Sequence, residues 1–212
     1  MTCPPKQITI TKLSYLRTIQ ALIISNLDPI NFRNDANKIL QYIQKWFDTN
    51  LLPLNWEKTH FMHFSTKNNF FNDFDIMYKD KKVTTDDNIK FLGLTLDNSL
   101  TSKKHIEAII PKLSAATFAM RVLKPLSSLD ALKLIYYSYF HSVLSYGIIF
   151  WGNTPHSNLI FKMQKKAVRI MIGIRNRDSC REHFRKILPV QSQYLLSLLL
   201  FVAENTDYFR LN

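Results

Sequence analysis

From residue 99 onward, apolar side chains recur at helical spacing with few interruptions, and this long stretch constrains the fold more than any other feature. Ile106, Ile109, Ile110, Leu113, Thr117, Met120 and Leu123 form one stripe, and Pro111 within it predicts a kink or an early restart. Leu126 to Ser128 read as a turn, 129–150 as a second long helical segment, and "GNTPHSN" at 152–158 as a loop. A third helix over 159–173 has two faces: Ile160, Met163, Ala167 and Ile170 on one, Lys162, Lys165, Lys166 and Arg169 on the other. A last helix begins near Gln191.

The first half reads differently. "ALIIS" at 21–25 predicts a short buried strand. A helix capped by Asn34 or Asp35 should come next, with Ala36, Ile39, Leu40, Ile43, Trp46 and Phe47 at its spacing. A strand is expected at about 60–65, and two short strands around the charged turn Lys79–Lys82. A further strand, 89–96, contains Gly93 and hands over to a basic helix. The expected fold is therefore α+β: a small sheet with a helix on its N-terminal side, then an all-α region, with the boundary near 98–102. The apolar strands at 21–25 and 89–96 would leave an open sheet edge, so 99–200 should be the better-folded part.

Other features narrow the function. The 212 residues suffice for one or two domains. Four glycines, none closely spaced, exclude a glycine-rich phosphate loop or dinucleotide fingerprint. Two cysteines, Cys3 and Cys180, make no disulfide framework and suggest a reducing, intracellular setting. Nothing in the sequence chooses between nucleus and cytoplasm. "LLSLLLFVA" at 195–203 is too short to span a bilayer, and 134–151 is studded with His, Tyr and Ser, so no membrane partner is expected.

Charge is unevenly spread. Residues 1–98 hold 12 Lys and Arg against 10 Asp and Glu, net +2, whereas 99–212 hold 16 against 6, net +10. Nine cations lie between 161 and 186, including Arg175, Arg177, Arg181, Arg185 and Lys186. One sign dominates, aromatics lie close by in sequence, and the pattern points to phosphate contacts in nucleic acid. Asp86–Asp87 is the adjacent carboxylate pair, but it sits in a polar turn and reads as solvated. Cys180 and His183 have metal-like spacing without the further ligands that zinc needs. His141, in an aromatic helix, reads as a hydrogen-bonded core residue.

Six blocks occur in a telling order: "WFDTNLLPLNWEKTHFMHFS", "IKFLGLTLDNSLTSKKHIEAIIPKL", "YYSYFHSVLSYGIIFWGN", "MQKKAVRIMIG", "DSCREHF" and "ILPVQSQY". Together they resemble the C-terminal part of the reverse transcriptase of non-LTR retrotransposons, the jockey-like insect type in particular, over about 22–209. The resemblance implies an unmatched segment at 1–20, a partial palm at 21–98, and a helical thumb and downstream region at 99–212. It makes Lys58 of "LNWEKT" the counterpart of a lysine proposed as general acid toward the leaving pyrophosphate. It makes "KFLG" the primer grip, with Phe91, Leu92 and Gly93 beside the primer; Gly93 would let a nucleic-acid backbone come close. Lys103, Lys104 and Lys112 would meet phosphates from the first thumb helix.

The same resemblance shows what is missing. Leu16 to Ala21 stand where an aromatic-Ala-Asp-Asp signature is expected, and they include no aspartate. The other catalytic aspartate and the fingers would precede residue 1, as in a truncated or rearranged copy. No residue here is then expected to be catalytic except a vestigial Lys58, and no cofactor is expected in this chain, although the intact family uses Mg²⁺. The implied function is binding of RNA–DNA or duplex backbone without polymerisation, or service beside a separate catalytic half. The alternative is a helical protein-interaction module without affinity for nucleic acid.

Overall fold

The computed structural model describes residues 23–24, 28–52, 59–64, 77–78, 81–82 and 85–209. The chain divides into two units, Met1–Leu92 and Gly93–Asn212. It is mostly helical with small two-stranded sheets, an α+β chain in the loose sense.

In the first unit, α1 (Pro29–Thr49) starts before the expected cap at Asn34 or Asp35. The Asp28 carboxylate accepts from Ile30 N and Asn31 N, each at 3.3 Å, and Pro29 opens the first turn. Asp28 thus satisfies N–H groups that a helix end leaves without a partner, and proline at the first position already holds helical φ. Ala36 and Ile39 are buried; Leu40, Ile43, Trp46 and Phe47 are half-buried. Strands β1 (Met77–Tyr78) and β2 (Lys81–Lys82) pair antiparallel; two short strands form as expected, but Lys81 and Lys82 of the expected turn make β2 itself.

Two expected strands are not seen among the described residues. Ile23 and Ile24 have no regular structure and Ile23 is 83% exposed; the rest of 21–25 lies outside the described residues. At 60–64 the chain makes one isolated parallel bridge, Phe61 to Thr85, with Asp86 N donating to Phe61 O at 2.9 Å. A single bridge does not extend into a ladder.

The segment read as one strand, 89–96, is a hairpin. Strands β3 (Asn88–Phe91) and β4 (Leu94–Asp97) are joined by Leu92 and Gly93, both at positive φ (46° and 81°). A tight two-residue turn of this sort needs left-handed backbone, which glycine adopts freely and leucine under strain. The boundary between units falls in this turn, earlier than the expected 98–102. Strand β4 belongs to the second unit, because it packs on the helix after it, α2 (Lys103–Leu123), and Thr95 N donates to His105 Nδ1 at 3.3 Å.

Helix α2 runs unbroken through Pro111, without the early restart that the proline could have forced. Proline removes the hydrogen bond to the carbonyl four residues back, at Glu107. Both residues face solvent, where water can serve that carbonyl. His105, Ile106, Ile109, Leu113, Ala116, Thr117 and Met120 are buried, while Leu123 at the helix end is exposed.

The segment 129–150 is not one helix. Helix α3 (Leu129–Ile135), capped by Ser128 Oγ on Ala131 N, passes into a π-helical turn, Tyr136–His141. Helix α4 (Ser142–Ser145) comes next, then a break at Tyr146 and Gly147, then α5 (Ile148–Trp151). The break is stabilised locally: Trp151 Nε1 donates to the Tyr146 carbonyl at 3.2 Å. Helix α6 (Ser157–Ile172) starts inside the expected loop, and α7 (Val190–Glu204) starts next to the expected Gln191.

Helix α2 packs against α6, and α7 packs against α4, α5 and α6. Gly152 is required where α5 meets α7: a Cβ there would lie 2.8 Å from the Ile148 carbonyl and 2.8 Å from Tyr194 Cβ. At the centre lies Gln164, fully buried among apolar side chains. Its Nε2 donates to Tyr136 Oη (3.0 Å) and to the Leu188 carbonyl (2.8 Å), and its Oε1 accepts from Val190 N (3.0 Å). One side chain thus joins the π-helical turn, α6 and the first residue of α7. Burial pushes the Tyr136 hydroxyl up to about 12, partly offset by its bond to Gln164.

Replacing Gln164 with Ala should strand two buried polar groups, the Tyr136 hydroxyl and the Val190 amide, and leave a cavity. An unfolding free energy lower by about 2–4 kcal/mol is expected from urea titration monitored by circular dichroism. A loss below about 0.5 kcal/mol would contradict the bridging role.

His105 generates a pH dependence. It is buried against Trp151, with ring centroids 6.2 Å apart, and its Nε2 has no hydrogen-bond partner among the described residues. Burial, and then Lys112, hold its pKa below the usual 6.5; burial does the same for His141, against a raising bond from Gln193. The unfolded chain therefore takes up protons first on acidification. The stability these residues contribute is whole above 6.5 and is lost as pH falls from there toward their folded values. The urea midpoint should fall between about pH 7.5 and about pH 5.5, and fall less in His105→Gln. Equal slopes in the two proteins would remove His105 from the explanation.

Candidate nucleic-acid interface

The cationic stripe on α6 forms as its spacing demands. Lys162, Lys165, Lys166 and Arg169 lie at i, i+3, i+4 and i+7, opposite buried Ile160, Gln164, Ala167, Val168 and Met171. The four are not equivalent. Lys162 and Lys166 are exposed, and no ion pair among the described residues engages them. Lys165 is half-buried, its Nζ 4.7 Å from the centre of the Phe161 ring. Arg169 Nε donates to the Asp178 carbonyl at 3.0 Å, and the Asp178 carboxylate accepts from Arg175 N at 2.9 Å, so Arg169 helps to hold the loop after α6.

On α2 the three expected phosphate contacts do not converge. Lys103, Lys104 and Lys112 are all exposed. Lys112 lies nine residues beyond Lys103, about 13 Å along the helix and about half a turn around it. Lys104 sits 3.7 Å from Glu107 in an exposed i,i+3 pair, which is weak and leaves its charge available. The α2 start is set by Asp97, which accepts from Thr101 N (2.8 Å), Ser99 Oγ (2.9 Å) and Thr101 Oγ1 (3.2 Å). Burial raises the Asp97 pKa, but these bonds outweigh it and hold the carboxyl below its usual value. The loop 98–102 is therefore pinned by a buried anion.

The "KFLG" residues occupy the hairpin: Phe91 half-buried at the end of β3, Leu92 and Gly93 exposed in its turn. Gly93 has two structural reasons to be glycine. Its φ is 81°, and a Cβ would stand 3.2 Å from the Tyr146 ring. The expected close approach of a nucleic-acid backbone is not needed to account for it. Lys58 and the segment Leu16–Ala21 lie outside the described residues.

Other sequence candidates separate. Asp86 pairs with His60 (Oδ2 to Nδ1, 2.7 Å), on the surface. Cys180 is buried whereas His183 is exposed on a 3-10 turn, Arg181–Arg185. Among the described residues no group of three or more His, Cys, Asp or Glu side chains is gathered where it could share an ion. His141 is half-buried and hydrogen-bonded by Gln193, as its setting suggested.

Sequence reasoning missed two features. Gln164 is a polar residue inside the apolar face of α6, four residues from both Ile160 and Val168; that position was its signal. The second is the outer face of α7, where Leu195, Leu196, Leu199, Leu200 and Phe201 are exposed. Taken together, Arg181–Glu204 is long and apolar enough to cross a membrane by length and composition, with 11% of its apolar window buried. Helix α7 itself has 15 residues. It rises about 22 Å, short of a hydrocarbon core of about 30 Å, and a charged 3-10 turn precedes it.

No family model, curated protein or solved structure matches this chain.

Proposed function

We propose that this chain is a part of a non-LTR retrotransposon reverse transcriptase, non-catalytic on its own, that binds the backbone of RNA–DNA or duplex nucleic acid. The ordered motif blocks support the ancestry. The absence of aspartate from Leu16 to Ala21 supports the loss of polymerisation, which needs carboxylates to hold its metal ions. One observation carries the binding reading: in the half with net charge +10, Lys162 and Lys166 form an exposed stripe on α6 that no acidic side chain among the described residues neutralises. Lys103, Lys104 and Lys112 extend the positive surface on α2. Lys165 and Arg169 contribute charge while partly committed to Phe161 and the Asp178 loop.

Lysines spaced along a helix neutralise phosphates without reading base edges. Binding should therefore be weakly sequence-specific and should fall steeply with salt. A second reading, a helical protein-interaction module, draws on the exposed leucines of α7. Salt separates the two, because apolar contacts persist where phosphate contacts fail.

Binding of the purified chain to a labelled RNA–DNA primer–template should weaken as salt rises. In Lys162→Ala/Lys166→Ala the slope of log affinity against log salt should flatten by about 2, one unit for each lost phosphate contact. Lys165→Ala should change the slope less. Absence of binding at low salt by a chain shown to be folded would overturn the proposal.

A further inference from the structure

Beside the pinned loop 98–102, next to the start of α2, lie exposed apolar side chains that backbone neutralisation does not use. Ser102 Oγ donates to the Phe150 carbonyl at 3.3 Å, so the end of α5 is held against the residue that precedes Lys103. The Phe150 side chain is 64% exposed and Leu100, in the same loop, is 61% exposed. Lys103 and Lys104 are exposed at the adjoining start of α2. A lone exposed phenylalanine is ordinary. Phe150 differs in that its backbone carbonyl is tied to the residue before Lys103, which brings an exposed aromatic residue into the neighbourhood of two exposed cations.

Resting on the backbone-binding reading above, we propose that Phe150 is a stacking platform for an unpaired nucleobase of single-stranded nucleic acid, whose neighbouring phosphates lie on Lys103 and Lys104. The occupant is fixed by charge complementarity. A second copy of this chain would bring like charges together, and an apolar peptide would leave both ammonium groups without a counter-charge. A nucleotide supplies an aromatic face and an anion at the spacing of one residue of its own chain. Any base serves, because stacking needs only a π face. The site thus favours junctions, where a duplex ends and a strand continues unpaired.

The test compares a blunt duplex with one of the same length that carries a single-stranded overhang, whose first unpaired base is 2-aminopurine. The full chain should bind the overhang substrate more tightly by about five- to a hundredfold, with quenched 2-aminopurine fluorescence. Phe150→Ala should abolish the preference and the quenching while blunt-duplex affinity and its salt slope stay as in the parent. Phe150→Trp should restore both. Equal binding of the two substrates by the parent, or quenching that survives Phe150→Ala, would overturn the stacking site and leave the backbone reading standing. Failure to bind either substrate at low salt would overturn both.

Discussion

The second unit depends on the hydrogen bonds of one buried amide. Gln164 sits in the apolar face of α6 and joins Tyr136 of the π-helical turn, the carbonyl of Leu188 and the amide of Val190. The Tyr136 hydroxyl and the Val190 amide would otherwise be polar groups inside a core, at a cost of about 1–3 kcal/mol apiece. With Gln164 in place, α7 begins at a fixed point and α6 is held in one rotational setting. That setting turns Lys162 and Lys166 outward. The charge display on the surface is therefore a consequence of what is satisfied in the core.

A similar dependence links Asp97 to α2. A buried carboxylate gathers the hydroxyls of Ser99 and Thr101 and the amide of Thr101, and so fixes the loop from which Lys103 projects. Ser102 then ties that loop to Phe150. The loop that carries Lys103 and the backbone at Phe150 are held together by a few hydrogen bonds within the unit Gly93–Asn212.

The sequence foretold the parts governed by periodicity. The faces of α6, the buried stripe of α2 and the start of α7 are legible in the spacing of apolar residues. It misjudged elements decided by single residues or by long-range partners. Asp28 and Pro29 start α1 early through local capping. Gly93 reads as a glycine within a strand, although with Leu92 it makes a turn, because periodicity cannot show that the chain reverses. Pro111 reads as a kink or a restart, yet the helix continues through it, with its missing hydrogen bond on the solvent side. The strands expected at 21–25 and 60–65 had suitable residues, but Ile23 is exposed and Phe61 finds a single bridge. Of the site, the cationic stripe could be read directly. The division of labour within it, and the contact of Ser102 with the Phe150 carbonyl, depend on which neighbours the fold supplies.

The central claim is that the outward lysines of α6 and α2 meet phosphates. The most direct measurement is lysine-acetylation footprinting of the folded chain, read by mass spectrometry, with and without an RNA–DNA duplex. The account predicts protection of Lys162, Lys166, Lys103 and Lys104 on addition of duplex, while Lys133, paired with Asp130 at 2.9 Å, is labelled equally in both samples. Equal labelling of the α6 and α2 lysines with and without duplex would contradict it.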